Sequence, residues 1–124
     1  MIAITLPVGP SVNHCYVTTR QGRRVLSAEA RRYVETAVLL VRAEAARSGL
    51  AISGKARLCL TARIWFERDN RDADNALKLP VDALAEALGI NDRWIKEWHI
   101  YSAVDKRNPR IEVELKMEAT NAAA

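Results

Sequence analysis

Ile2, Ile4 and Leu6 alternate with small or polar residues and the run ends at Pro7, a pattern that predicts an opening strand. Residues 7–26 then lose all periodicity. They carry Gly9, Pro10, Ser11, Asn13 and Gly22, and read as a loop long enough to be functional. Helical spacing returns with Val34, Ala37, Val38, Val41 and Ala45, behind a Ser27 cap and Glu29 in the first turn, and Gly49 closes the helix beyond Arg47. Over 55–66, Leu58, Leu60, Ala62, Ile64 and Phe66 alternate with Cys59, Thr61, Arg63 and Trp65, which predicts a long strand.

Residues 82–88 have helical composition and stop at Gly89, and Asp74 or Asn75 would cap a helix that starts earlier. Pro80 either opens that helix or kinks one already begun. Two strand-like runs follow at 95–104 and 110–117, and the turn-rich Asp105-Lys106-Arg107-Asn108-Pro109 between them predicts a hairpin. Ile111, Val113, Leu115 and Met117 would face the core, with Glu112, Glu114 and Lys116 in water. The expected fold is α/β (α+β): one compact domain over 1–117 in the approximate order β-α-β-α-β-β, a mixed sheet with helices packed on it. Residues 118–124 read as a disordered tail.

The 124 residues suffice for one hydrophobic core and not two. Net charge is +4, which favours an anionic partner. Arg20, Arg23 and Arg24 around Gly22 read as an exposed basic loop, a candidate for phosphate contact. Cys15 and Cys59 are far apart in sequence and fit no Cys-x-x-Cys or Cys/His metal spacing, so small buried thiols are expected. The first residues lack the pattern of a signal peptide and no run reaches membrane-spanning length, which makes a cytoplasmic location the default.

The chemistry concentrates in Arg71-Asp72-Ala73-Asp74-Asn75, with Lys78 and Asp92 beyond it. In an extended segment Asp72 and Asp74 would point to the same side and converge on one cation. Hard ions such as Mg²⁺ take carboxylate oxygens and share substrate phosphates, so Asp72, Asp74 and Asp92 suit phosphodiester hydrolysis, with Lys78 adding charge at the phosphate. The same string equally suits turns and helix caps, and spacing leaves both readings open. An EF-hand register fails, because Leu77 stands where its glycine is required. The phosphatase pattern Asp-x-Asp-x-Thr fails at Ala76. His14 and His99 have no paired nucleophile, and no glycine-rich phosphate cradle occurs. Trp65, Trp94 and Trp98 read as core packing, with an association surface as the other reading.

Taken in order, Leu6-Pro7-Val8-Gly9-Pro10-Ser11-Val12-Asn13, the basic glycine loop, Ser27-Ala28-Glu29, Arg71-Asp72-Ala73-Asp74-Asn75 with Lys78, Asp82-Ala83-Leu84 and Asn91-Asp92 resemble the RusA-type Holliday junction resolvases. The resemblance runs from about Ile4 to Met117. It implies a homodimeric endonuclease dependent on Mg²⁺, with Mn²⁺ as a substitute, that nicks four-way DNA junctions symmetrically and needs no organic cofactor or membrane. It also implies that Asp72, Asp74 and Asp92 are the metal-binding acids and Lys78 the catalytic lysine, and for such an enzyme Arg20, Arg23, Arg24, Arg68 and Arg71 are the candidate DNA contacts. Where the family often has a second aspartate before the next strand, this chain has Asn91, and Pro80 falls inside a segment expected to be helical. A junction-binding module without catalysis and a small metal-dependent phosphohydrolase are the alternatives.

Overall fold

The computed structural model describes residues 1–10, 15–50, 52, 56–69 and 71–118. Ser11, Asn13 and His14, together with residues 119–124 of the expected tail, lie outside the described residues. The chain forms one α+β domain whose described elements are β1 (Ile2–Leu6), β2 (Tyr16–Thr18), β3 (Arg24–Leu26), α1 (Ala28–Ser48), β4 (Leu58–Phe66), α2 (Ala73–Leu88), a 3₁₀ turn (Asp92–Trp94), β5 (Ile95–Val104) and β6 (Arg110–Met117). The main sheet is mixed, in the order β1-β6-β4-β5, and β2 pairs with β3 in a separate ribbon.

Alternation along β4 decides how the layers stack. Leu58, Leu60, Ala62, Ile64 and Phe66 turn toward the helices and join Ile111, Val113 and Leu115 of β6 with Val41 of α1 and Leu77, Val81 and Leu84 of α2 in one core. Both helices begin and end as their sequences dictate. Ser27 accepts a bond from the Ala30 amide, and Gly49 and Gly89 close α1 and α2 in the left-handed conformation that glycine adopts without strain.

Four expectations change. The predicted hairpin does not form: β5 runs parallel to β4, while β6 is inserted antiparallel between β4 and β1. A parallel partner needs a crossover, and α2 supplies it; the connection after β5 then passes the end of β4, where the Asp105 amide bonds the Phe66 carbonyl at 2.8 Å. Met117 pairs with Leu58 beyond the end of β1 and is 46% exposed, so it is not a core residue. The loop at 7–26 contains the β2–β3 ribbon, whose three-residue strands are too short to show alternation. Finally, α2 starts at Ala73 with Asp72 as its cap and runs through Pro80, which is buried among its neighbours.

Candidate active site

Asp74, Lys78 and Asp82 follow one another at four-residue intervals on α2, so their side chains rise from one helical face. The inward positions between them, Leu77, Val81 and Leu84, fasten that helix to the sheet. Asp92 reaches the same region from the 3₁₀ turn, where Asn91 caps by accepting from the Arg93 amide at 2.9 Å. Together Asp74, Lys78, Asp82 and Asp92 border a cleft of about 310 Å³, and Leu77, Val81, Trp98 and Ile100 supply its apolar wall. A larger cleft of about 490 Å³ between α1 and the strands β1 and β6 gathers no comparable set of acids around a lysine.

Charge is distributed along this cleft with a clear logic. The Lys78 ammonium is held above the usual lysine range, first by a hydrogen bond with the Tyr16 hydroxyl and then by the Asp82 carboxylate, with a smaller contribution from Asp92. Asp82 is raised by partial burial, Lys78 opposes that rise, and the like charge of Asp92 adds to it. Lys78 is therefore a standing cation in a row of acids. Tyr16 receives two cations on its ring: Arg24 lies 4.5 Å from the centroid and Lys78 Nζ 5.8 Å. This places the base of the β2–β3 ribbon beside the cleft.

Asp72 lies outside the cleft lining. Its carboxylate accepts from the Asp74 amide at 3.3 Å, and its backbone is extended whereas Asp74 is already helical. The expected same-side geometry of an extended segment is thus replaced by a cap and a first-turn acid, both favoured at a helix N-terminus. Arg71 is half-buried, with both terminal nitrogens 3.3 Å from the Gly9 carbonyl and its guanidinium 5.5 Å from the Phe66 ring centroid. It hooks the segment after β1 to the start of α2. Tyr33 pins that segment from the other side by donating to the Pro7 carbonyl at 2.6 Å, and burial pushes its hydroxyl pKa well up. A Cβ on Gly9 would meet the Tyr33 ring at 3.1 Å, so glycine is needed for this close approach. Arg20, Arg23 and Arg24 are exposed on the ribbon, whose turn closes at Gly22, and Arg68 is exposed after β4.

A family model for endodeoxyribonuclease RusA matches residues 6–116, which covers all of these elements except the first residues of β1 and the last of β6. The chain belongs to the RusA endodeoxyribonuclease family. No curated protein matches it.

For a RusA-family protein the test of metal fit is the donor set. The cleft offers carboxylate oxygens and no sulfur or imidazole among its described lining residues. Asp74 and Asp82 are eight residues apart, about 12 Å along the helix axis, so the acids form a row and not a closed cage. Among the described residues, the group of three whose donor atoms all come within 4.8 Å lies elsewhere, at Cys59, Glu97 and His99. An oxygen row fits Mg²⁺, which keeps several waters and completes its shell from phosphate. From the sequence Asp82 enters only as part of the Asp82-Ala83-Leu84 motif, without a role at the site, and Tyr16 does not enter at all. Asp82 had a signal, its four-residue spacing from Lys78, whereas nothing local marks Tyr16.

Proposed function

We propose that this RusA-family chain is a Mg²⁺-dependent endonuclease that nicks four-way DNA junctions symmetrically in recombination and repair. The observation that carries the reading is the convergence of Asp74, Lys78, Asp82 and Asp92 on one cleft next to a basic ribbon, in a chain of an endodeoxyribonuclease family. Asp72, Asp74 and Asp92 would hold the divalent ion, for which Mn²⁺ could substitute. The ion supplies activation of water and charge stabilisation at phosphorus. Lys78, kept protonated by Tyr16 and Asp82, offsets charge at the scissile phosphate and does not act as a base. Asp82 orients Lys78, and the capping bond of Asp72 holds the first turn that carries Asp74. Nicking of a synthetic four-way junction with Mg²⁺, and none with chelator, tests the reading; turnover of mononucleotides without junction nicking would sink it.

Tyr16→Phe keeps the ring and removes the hydroxyl. A hydrogen bond to a charged group is worth about 1.5–3 kcal/mol, so nicking should slow by roughly tenfold or more while junction binding holds. Equal rates for Tyr16→Phe and wild type, compared by single-turnover cleavage, would remove Tyr16 from the mechanism.

Arg20, Arg23 and Arg24 are proposed to meet DNA phosphates together with the exposed Arg68, while Arg71, held on the Gly9 carbonyl, aligns the acidic segment. Replacing the three ribbon arginines with Ala should lower the slope of log K against log salt by roughly 0.9 for each phosphate no longer neutralised. An unchanged slope in fluorescence titrations would reject the assignment.

One acidic cleft per chain and two cuts per junction call for two copies related by symmetry. Among the described residues the strand β5 pairs on one side only, and it exposes Trp98, Tyr101 and Val104, so this edge is the proposed pairing surface. Light scattering should give twice the 13.8 kDa chain mass; a monomer at working concentration would contradict it. No helix among the described residues is long and apolar enough to cross a membrane. Buried thiols at Cys15 and Cys59 fit the reducing cytoplasm, which we propose as its location.

A further inference from the structure

On the face of the sheet turned away from α1 and α2, β4 and β5 bring together a second group of ligating side chains. Cys59 and Glu97 are cross-strand partners and His99 follows two residues later, opposite Thr61, so all three leave the sheet on one side. The alternate positions Leu58, Leu60 and Ala62 belong to the core, and Trp98 and Ile100 to the acidic cleft. The sheet therefore separates this group from the cleft.

One donor atom from each of Cys59, Glu97 and His99 lies within 4.8 Å of the others, and His99 Nε2 is 3.0 Å from Glu97 Oε1. Ligands on a tetrahedral zinc are about 3.5 Å apart, given bond lengths of about 2.0–2.3 Å. Closing the remaining gap needs small rotations of Glu97 and His99, whose side chains are exposed, around a Cys59 sulfur that is buried. Glu118 stands close enough to Glu97 to act on its carboxylate and is itself fastened to Arg57 by its carboxylate and by its amide, which donates to the Arg57 carbonyl at 2.8 Å. A second carboxylate thus stands beside the three.

Sulfur, imidazole nitrogen and carboxylate oxygen together select ions softer than Mg²⁺. We propose that Cys59, Glu97 and His99 form a site for a divalent transition ion of the zinc class, clipping the edge strand β5 to β4 on the side opposite the acidic cleft. Binding converts the thiol to a thiolate, its proton passing to solvent, and the ion then bridges the two strands.

The test uses the full chain, stripped with chelator under a non-thiol reductant and titrated with Co²⁺. The expected result, with excess Mg²⁺ present to occupy the acidic cleft, is a thiolate-to-cobalt charge-transfer band with visible tetrahedral bands that saturates at one Co²⁺ per chain and is abolished by Zn²⁺. Cys59→Ser should lose the charge-transfer band, and His99→Ala should weaken binding by at least the roughly 10–100-fold that even supporting residues contribute. Cys15→Ser should keep the charge-transfer band of the wild type. Folded wild type without the band, or a band that survives Cys59→Ser, overturns the proposal. Should Cys59→Ser not fold, His99→Ala and Glu97→Gln decide: both change exposed side chains, and wild-type affinity in both also overturns it.

Discussion

Asp74→Asn should reduce Mg²⁺-dependent nicking of a four-way junction by at least roughly 100-fold, the scale on which loss of one electrostatic group at a transition state is felt. The substitution is nearly isosteric and removes one negative charge from the cleft shared with Lys78, Asp82 and Asp92. Folding should suffer little, because the carboxylate's contribution in the first turn of α2 is a dipole interaction of about 0.3–1 kcal/mol at an exposed position. Junction binding should be retained or strengthened, since a negative charge facing phosphates is gone. Cleavage time courses beside binding titrations separate the two effects. Nicking by the variant at the wild-type rate would end the assignment of Asp74 to the metal, and loss of binding in parallel with cleavage would mean that the substitution acts on DNA affinity instead.

Leu84→Ala should cost about 2–5 kcal/mol of unfolding free energy, read as a lower urea midpoint with an unchanged slope. Leu84 is 1% exposed and sits in the core between α2 and the sheet. Truncation there leaves a cavity that the surrounding β4 and β6 side chains close only in part, since the strands are held by register on both sides of β4. The loss matters for function as well as stability. The same helix carries Asp74, Lys78 and Asp82 on its outward face, so a loosened seat misplaces all three together. A midpoint equal to wild type would show that α2 is not anchored at this position.

Much of this was legible in the residues. The alternation of β1, β4 and β6, the Ser27 cap and the Gly49 and Gly89 stops were read from period and capping chemistry, which act over a few residues. The start of α2 was harder. Asp72, Asp74 and Asn75 are all good caps, and the choice among them depends on the Arg71 hook to Gly9, a hydrogen bond between residues 62 positions apart. The predicted hairpin fails for a similar reason. A five-residue, turn-rich connection suits adjacent strands, but β5 satisfies its backbone on β4 through the α2 crossover, leaving β6 to enter between β1 and β4.

The sequence by itself determined the elements, the charge balance and, through the ordered motif from Leu6 to Asp92, the family, because local periodicity and residue identity need no partner to be read. Only the tertiary structure decided which side chains share a space. It made Asp72 a cap, brought Tyr16 and Asp92 to Lys78, and set Cys59 beside Glu97 and His99 across two parallel strands. The physical reason is the same in each case. Helical and strand periods say which way a side chain points along its own element, whereas the neighbour it meets is fixed by strand order and by a core that closes in one arrangement.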